Sequence, residues 1–295
     1  MNIGLFLPTF GLGQQPDFLA ALTREAESTG MACVWAPEHV VLVDDYRSSY
    51  PYSADGRFPL DPSTGGFSDP FAVLSFLAGI TSRIRLGTGI CLVPQRNPVY
   101  TAKMAACVDV LSNGRLDFGV GVGWSAEEFG AVEVPFERRG ARTRAYLEVM
   151  RRLWCDDVAT YDGEFYHLPP ARFSPKPVQQ PYPPIIFGGE SDAALERVAD
   201  VGNGWFGWNL TPDAAAERVR ALDRLLAERD RSRRDVSITV SPYTHPTQDL
   251  DAMKRYRDAG VEQVVLLLFR AGTAEEACAE IRRLGESIVE PARRL

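Results

Sequence analysis

Apolar runs and amphipathic segments alternate along the whole chain, and this pattern predicts alternating strands and helices. Short apolar runs are typical of buried strands, whereas apolar residues spaced three or four apart mark one face of a helix. The predicted strands are residues 2–7, 33–36, 84–92, 116–122, 185–188, 204–208, 236–241 and 263–269. The predicted helices are residues 17–29, a helix that starts at Asp69-Pro70, 99–111, 138–154, 191–201, 212–228, 250–259 and 274–288.

This order of elements predicts an α/β fold, a single (β/α)8 TIM barrel with insertions. Eight strands with helices between them can close a parallel barrel, which typically needs roughly 250 residues. The chain has 295 residues and shows no internal repeat, low-complexity tract or inter-domain linker. We therefore expect residues 1–295 to form a single domain with its active site at the C-terminal strand ends.

Two segments interrupt the alternation and are expected to be insertions. Residues 40–68 are rich in Tyr, Ser, Asp, Gly and Pro without periodicity. A loop of this length in a compact fold is commonly a lid or a binding loop. The second insertion is residues 157–173, in which residues 158–168 alternate around Asp162-Gly163; this predicts a hairpin with its turn at that pair.

Composition and charge narrow the possible partners. The formal net charge is −7, which disfavours nucleic acid because neutralising phosphates requires a basic face. The five cysteines are scattered without a CxxC pair, as is typical of reduced thiols in a cytosolic protein. Pro8 interrupts the N-terminal apolar run, so neither a signal peptide nor a membrane span is expected. These features predict a cytoplasmic protein that binds neither nucleic acid nor membrane.

Residues 86–129 carry the most information about function. Two Gly-rich strands flank one helix there, and the C-terminal ends of such parallel strands meet at one face. Because glycine has no Cβ, glycines near these ends leave room for a flat ring against the backbone. The glycines concerned are Gly87, Gly89, Gly119, Gly121 and Gly123. We expect a cofactor site at this place.

His39 is the first candidate for chemistry, because it follows the second predicted strand at the catalytic mouth of a barrel. A histidine there can donate or accept a proton near neutral pH, although a structural bond to a loop carbonyl explains it equally well. Glu38 beside it either orients the imidazole or faces solvent. The other histidines, His167 and His245, are expected to be structural, and three dispersed histidines do not predict a metal site.

A second candidate is the turn Gly188-Gly189-Glu190-Ser191, which opens a helix directly after the fifth predicted strand. A helix N-terminus offers unpaired N–H groups and a positive dipole end, and glycines let a phosphate approach the backbone. The alternative is a tight turn in which Ser191 or Asp192 is an ordinary N-cap. The spacing is not that of a dinucleotide-binding G-x-G-x-x-G motif, so NAD is not expected.

A third candidate follows the fourth predicted strand. Trp124 is suited to form one wall of a ring pocket, and Glu127 and Glu128 begin a short helix. The alternative is a capped helix with one aromatic side chain packed in the core. Both interpretations place residues 121–124 at a strand end.

Several stretches together resemble the luciferase-like monooxygenase superfamily, and more narrowly its branch of coenzyme F420-dependent oxidoreductases. These stretches are residues 2–11, 36–43, 50–59, 86–98, 111–129, 139–154, 163–177 and 184–205. The likeness covers nearly the whole chain. It implies a barrel that binds FMN or coenzyme F420, an 8-hydroxy-5-deazaflavin, in a pocket at the C-terminal strand ends.

The resemblance also implies roles for individual residues. It implies a non-prolyl cis peptide at Gly89-Ile90, a phosphate site at the turn of residues 188–191, and His39 as the histidine of the mouth. Family members that oxidise a sugar phosphate have Ser-Asp-His where this chain has Pro37-Glu38-His39, and a catalytic Glu where it has Ala126. Sugar-phosphate oxidation is therefore not expected. The expected catalytic residues are His39 and Glu38, and the expected cofactor-binding residues are Thr88, Gly89, Ile90, Gly121, Val122, Gly123, Trp124, Gly188, Gly189, Glu190 and Ser191.

We therefore expect an oxidoreductase that moves a hydride between coenzyme F420 and a small organic substrate, with His39 as the proton relay. Three alternatives remain: an FMN-dependent monooxygenase supplied by a separate reductase, a flavin-binding protein without turnover, and an unrelated phosphate-binding barrel enzyme. The resemblance also implies a homodimer, and a separate reductase or F420-reducing enzyme as the source of reduced cofactor. The side chains of the lid that would exclude water and contact substrate are Tyr46, Tyr50, Tyr52, Arg57 and Phe58.

Overall fold

Eight parallel strands close a barrel in the computed structural model of the chain, which describes residues 1–64, 66–245, 249–268 and 272–295. The strands are β1 (Asn2–Phe6), β2 (Cys33–Ala36), β3 (Arg85–Thr88), β4 (Cys91–Leu92), β5 (Leu116–Gly121), β6 (Ala159–Gly163), β7 (Tyr166–Ala171), β8 (Ile185–Gly188), β9 (Gly204–Trp208), β10 (Ser237–Ser241) and β11 (Gln263–Leu267). The barrel order is β3-β2-β1-β11-β10-β9-β8-β5, and pairing of β3 with β5 completes the circle. The short β4 pairs with β5, and β6 and β7 form a separate antiparallel hairpin. The predicted TIM barrel is confirmed.

The helices follow the strands along the chain. They are α1 (Pro16–Ser28), α2 (Pro70–Ala78), α3 (Pro98–Leu111), α4 (Ala126–Ala131), α5 (Arg139–Cys155), α6 (Asp192–Val201), α7 (Pro212–Ala227), α8 (Leu250–Asp258), α9 (Ala274–Leu284) and α10 (Glu290–Ala292). Asp69 caps α2 as predicted, since its side chain accepts from the Ala72 N–H at 3.0 Å. A loop of residues 37–69, which contains the predicted lid of residues 40–68, joins β2 to α2, and its described residues include a short 3-10 turn, Pro62–Thr64.

Two element predictions differ from the structure in their extent. The predicted strand of residues 84–92 is two strands, β3 and β4, interrupted at the Gly89-Ile90 peptide bond. That bond is cis, as the family resemblance implies. The predicted helix of residues 274–288 ends at Leu284 and continues as a π-helical turn, Gly285–Val289. Phe269, the last residue of the final predicted strand, lies outside the described residues.

The hairpin is present, but its turn lies two residues later than the Asp162-Gly163 prediction. Gly163 pairs with Tyr166 across the ladder, which leaves residues 164–165 as the turn. The glycine is needed for packing instead, because a Cβ on Gly163 would lie 2.7 Å from the hydroxyl oxygen of Tyr161. The Asp-Gly pair therefore predicted the hairpin correctly, but the predicted position of its turn is wrong.

The indole of Trp35 fills the interior of the barrel below the mouth. Its side chain is fully buried, and its Nε1 donates to Oε1 of Gln263 at 2.9 Å. A Cβ on Gly87 would lie 2.4 Å from the Trp35 ring, and a Cβ on Gly119 would lie 1.9 Å from the carbonyl oxygen of Thr88. The expectation that Gly87 and Gly119 make room for a cofactor is therefore wrong. They make room for the protein's own core.

Candidate active site

His39 and Glu128 face each other at the mouth of the barrel. His39 follows β2, and its Nδ1 lies 3.1 Å from Oε2 of Glu128 in α4. The side chains are 12% and 1% exposed, and the second oxygen of Glu128 accepts from the Val40 N–H at 2.8 Å. Because a carboxylate can only accept, Nδ1 carries the proton of this bond and Nε2 of the neutral ring is left as an acceptor. The pair can therefore take up a proton at Nε2 while Glu128 stabilises the resulting charge.

Glu38 has partners other than His39. Its Oε2 accepts from the Leu92 N–H and its Oε1 from Nε of Arg96, both at 2.5 Å. Burial raises the pKa of Glu38, and the neighbouring Arg96 acts in the opposite direction. The expectation that Glu38 orients the imidazole or faces solvent is therefore wrong. It fastens the end of β2 to β4, and Glu128 is the partner of His39.

The lid, residues 40–68, is fastened to α4 by Glu127. The Oε1 atom of Glu127 accepts from the N–H groups of Arg47 at 2.7 Å and Ser48 at 3.2 Å. In the reverse direction, the Ala126 N–H donates to the Ser48 hydroxyl at 2.9 Å. Slight burial raises the pKa of Glu127, but the bonds from Ser48 and Arg47 outweigh it and lower the pKa to about 2. Glu127 is thus ionised and committed to holding the lid.

A pocket that is partly open to solvent lies between the lid and the His39–Glu128 pair. Trp124 forms one wall, and its ring stacks on Phe58 with centroids 5.9 Å apart. The ring of Tyr46 lies 5.6 Å from Trp124, and that of Tyr50 lies 5.3 Å from it. The residues that line this lid pocket are His39, Val41, Leu42, Val43, Tyr46, Phe58, Leu60, Pro62, Trp124, Ser125 and Glu128.

The turn of residues 188–191 joins β8 to α6. Ser191 is the N-cap of α6, and its hydroxyl accepts from the Ala194 N–H at 3.2 Å. Gly189 has a φ of +107°, and a Cβ there would lie 3.2 Å from Cβ of Ala194. A side chain at this position would be strained and crowded, so glycine keeps the backbone open in front of the helix. The first N–H groups of α6 have no partner within the helix, which makes the turn suitable for an anion.

The side chain of Glu190 bonds to the lid and to the neighbouring strand. Its Oε1 accepts from the Trp208 N–H at 2.6 Å, and it also accepts from the Tyr52 hydroxyl. The backbone of Tyr52 is held in turn by Asn209, whose Nδ2 donates to the Tyr52 carbonyl at 3.3 Å. Burial dominates these bonds and raises the pKa of Glu190 to about 7. Glu190 therefore ties the lid to the ends of β8 and β9.

Ile90 lies between the ends of β5 and β8. A Cβ on Gly121 would lie 1.9 Å from Cδ1 of Ile90, and a Cβ on Gly188 would lie 2.8 Å from the same atom. The two glycines thus accommodate the Ile90 side chain. Thr88 is fully buried, and its hydroxyl donates to the Gly119 carbonyl at 2.6 Å. Its hydroxyl thus braces β3 against β5, and a part for Thr88 in cofactor binding stays a prediction.

The loop after β5 leaves polar atoms without a partner in the protein. Gly123 has a φ of +75°, and a Cβ there would lie 2.8 Å from the Phe129 ring. Val122 and Trp124 on either side are half-buried. Among the described residues, the buried Nε1 of Trp124 and Nε2 of Gln95 have no hydrogen-bond partner. Buried donors of this kind are normally satisfied, so a ligand with acceptor atoms fits this part of the mouth.

The family model of the luciferase-like monooxygenases matches residues 1–289. The chain belongs to this family. It is 33% identical over 290 residues to the uncharacterized protein Rv0953c of Mycobacterium tuberculosis, covering 98% of this chain and 99% of that protein. It is 31% identical over 171 residues to the oxygenase component of the flavin-dependent trigonelline monooxygenase of Acinetobacter baylyi, covering 57% of this chain and 42% of the relative.

Solved structures share this fold. The coenzyme F420-dependent tetrahydromethanopterin reductase of Methanopyrus kandleri superposes with a TM-score of 0.75 at 18% identity. The match covers 98% of this chain and 98% of that chain. At this identity the match shows the shared fold, and the chain is a luciferase-like oxidoreductase or monooxygenase by its family.

Glu128 is the functional residue that the sequence did not reveal as the partner of His39. The spacing from Ser125 to Glu128 is that of a capping box, in which the Glu side chain returns to the N-cap backbone. Only half of this motif forms: the Ser125 hydroxyl accepts from the Glu128 N–H at 3.2 Å. The Glu128 carboxylate bonds to His39 and Val40 instead. The available signal was a glutamate next to Phe129 on the buried side of a short helix.

Outside the mouth of the barrel, a structural role for His167 stays a prediction. His167 lies on the exposed hairpin, 3.2 Å from Oδ1 of Asp162. The five cysteines are free thiols. Within the described ranges, no group of three or more His, Cys, Asp or Glu side chains is arranged to hold a metal ion. The helices of the same ranges are all too short or too polar to cross a bilayer.

Proposed function

We propose that this luciferase-like protein is an oxidoreductase that uses coenzyme F420 and moves a hydride between the deazaflavin and a small organic substrate. The observation that carries the proposal is the buried His39–Glu128 pair beside the lid pocket. Hydride transfer at a carbon that bears oxygen or nitrogen requires one proton to be moved at that heteroatom. A protein that only stores a cofactor has no need of such a pair.

The residues of the mouth fit a flat cofactor with a phosphate-bearing chain. We assign the phosphate to residues 188–191, where Gly189 keeps the backbone open in front of α6. The ring would be bordered by residues 89–90 and by residues 121–124, where the Trp124 indole N–H has no partner in the protein. When bound, coenzyme F420 would supply or accept the hydride.

The protein's own contribution lies in position, proton handling and exclusion of water. His39 would exchange the proton of the substrate heteroatom at Nε2, while Glu128 keeps the ring oriented through Nδ1. The lid would keep water from the pocket, since Glu127 and Glu128 fasten its N-terminal part and Glu190 fastens Tyr52.

An FMN-dependent monooxygenase is the second candidate. The relative from Acinetobacter baylyi is named as the oxygenase component of a flavin-dependent monooxygenase, and such a component receives reduced flavin from a reductase. The same mouth, pocket and turn of residues 188–191 would serve FMN. For either cofactor a separate enzyme that supplies it in reduced form is part of the proposal.

Parallel titration of the purified protein with oxidised coenzyme F420 and with FMN separates the two candidates. We expect F420 to bind at least about tenfold more tightly, a difference of about 1.4 kcal/mol, measured by isothermal titration calorimetry. Equal or tighter binding of FMN would instead support the second candidate function, an FMN-dependent monooxygenase. Binding of neither would overturn both.

We also propose a cytoplasmic homodimer built from single-domain protomers. The neighbouring helices α2 and α3 carry exposed apolar side chains, with Phe76 40% and Tyr100 74% exposed. Exposed apolar side chains on adjacent helices are suited to contact a second protomer. The five free cysteines fit a reducing compartment.

A further inference from the structure

We propose that the lid pocket binds an uncharged, largely apolar molecule with one hydrogen-bonding oxygen, and that it rejects the anionic counterpart of the same molecule. This inference rests on the proposed function, because it names the substrate class of that site. Three features of the pocket carry it: its apolar walls, its internally satisfied polar groups and the absence of lysine and arginine from its lining residues.

Most of the wall is hydrocarbon. Six of the eleven lining residues have side chains without a polar atom: Val41, Leu42, Val43, Phe58, Leu60 and Pro62. An apolar molecule seated in the pocket would bury surface against these side chains, which favours binding through the hydrophobic effect.

Most polar groups that line the pocket already form hydrogen bonds within the protein. Both oxygens of Glu128 are engaged, by His39 and by the Val40 N–H. The Ser125 hydroxyl accepts from the Glu128 N–H. What remains for a ligand is the Nε2 atom of His39 and the indole N–H of Trp124. One hydroxyl satisfies both, because it donates to Nε2 and accepts from the indole N–H, and a carbonyl oxygen satisfies the indole N–H. Several polar groups would lose their hydration without compensation.

No lysine or arginine is among the lining residues, while Glu128 adds a buried negative charge. Arg57 of the lid is exposed, and it lies over the outer Tyr46 ring at 5.1 Å from the centroid. A carboxylate or phosphate in the pocket would therefore be desolvated next to a like charge, which is strongly unfavourable. The pocket selects against anions by charge as well as by polarity.

Calorimetric titration with octan-2-one and octanoate tests this selection, because the two molecules share a chain length and differ in charge. We expect octan-2-one to bind at least about tenfold more tightly than octanoate, with and without oxidised F420. Equal or tighter binding of octanoate, or no binding of either molecule at millimolar concentration, would overturn the proposal.

Substitution of residues that line the lid pocket tests whether the selectivity for octan-2-one over octanoate arises there. Leu60→Lys places a cation in the pocket and is expected to weaken octan-2-one and strengthen octanoate, each by about tenfold. Leu42→Lys provides the same test from a second wall position. Leu111→Lys is the matched control, because Leu111 is an exposed leucine at the end of α3, outside the pocket. Unchanged selectivity in both pocket variants would also overturn the proposal.

The outcomes for ligand and cofactor are separable. If F420 binds while octan-2-one does not, the pocket inference fails and the proposed function stands. If octan-2-one binds selectively while F420 does not bind, the proposed cofactor fails and the pocket inference stands.

Discussion

The Nδ1 atom of His39 lies 3.1 Å from Oε2 of Glu128, although the two residues are 89 positions apart in the sequence. The contact joins the end of β2 to the short helix α4, two elements that the barrel brings together at its mouth. It fixes one ring nitrogen of a buried histidine–carboxylate pair. The other nitrogen is thereby free for a substrate.

Replacement of His39 tests the proton role directly. His39→Asn should lower turnover by about 10²–10⁴-fold, because the general acid or base is lost while a hydrogen-bonding group remains. Cofactor affinity should stay nearly unchanged, and the pH–rate profile should lose one limb. The matched control is His167→Asn on the exposed hairpin, which should leave turnover unaffected. Full activity of His39→Asn would transfer the proton role to Tyr46 or to water.

Replacement of Glu38 should affect stability rather than proton transfer. Glu38→Gln removes the charge that compensates the guanidinium of Arg96, and breaking a buried pair typically costs about 3–5 kcal/mol of unfolding free energy. We expect the low end, because Arg96 also pairs with Asp69. Urea unfolding measures the loss. Glu164→Gln, which breaks an exposed pair, is the control and should leave the urea midpoint nearly unchanged. If Glu38→Gln kept its stability but had an altered pH–rate profile, Glu38 would instead take part in proton transfer.

Glu190 should make the folded protein less stable as the pH rises. Its pKa is raised from 4.5 to about 7, chiefly by burial, so the folded state retains the proton longer than the unfolded chain. Stability contributed by this group is therefore present below about pH 4.5 and is lost as the pH rises to about 7, by up to about 3 kcal/mol. Glu190→Gln should reduce the fall in urea midpoint between pH 5 and pH 8.

Glu196→Gln is the control for this experiment, because Glu196 is an exposed carboxyl on α6. It should leave the pH dependence of the urea midpoint unchanged. An identical fall in the wild type and in Glu190→Gln would mean that Glu190 does not titrate in this range.

The glycine turn before α6 should be essential for cofactor binding. Gly189→Val places a side chain in front of the helix N-terminus and should weaken F420 binding at least about tenfold, or about 1.4 kcal/mol. Gly11→Val is the matched control, since Gly11 also has a positive φ but open space around it. If a folded Gly189→Val protein bound F420 with unchanged affinity, the assignment of the phosphate to this turn would be wrong.

Sedimentation velocity tests the proposed homodimer. At micromolar concentration the protein should sediment with twice the mass of one 32.6 kDa chain. Tyr100→Glu on α3 should shift it toward the monomer, because a charge would be buried in the contact. A monomer in the wild type would contradict the proposal.

The sequence was sufficient for the barrel because its strands and helices are local patterns. Burial on one face or on both faces can be recognised within ten or so residues, and the caps at Asp69 and Ser191 are signals of the same range. The position of His39 after a strand likewise followed from chain order. What these features share is that each depends on neighbours in the sequence.

The partners in the site could not be predicted, because they come from distant segments. Glu128 resembles a capping residue in its local sequence, and only the closed barrel brings it to His39. Glu38 is adjacent to His39 in the chain but bonds to Arg96, since successive residues at a strand end point in different directions. The role of Gly87 was misjudged for the same reason, because the space beside it belongs to Trp35.

The carboxylate of Glu128 holds His39 with one oxygen and the Val40 N–H with the other. Val40 is the first residue of the lid, so any displacement of the lid at its root disturbs the group that orients the imidazole. Under the proposed proton role of His39, admission of substrate and orientation of the base would therefore be a single event. The proposed enzyme would need no separate signal to time its proton transfer, because opening the lid would also disturb the base.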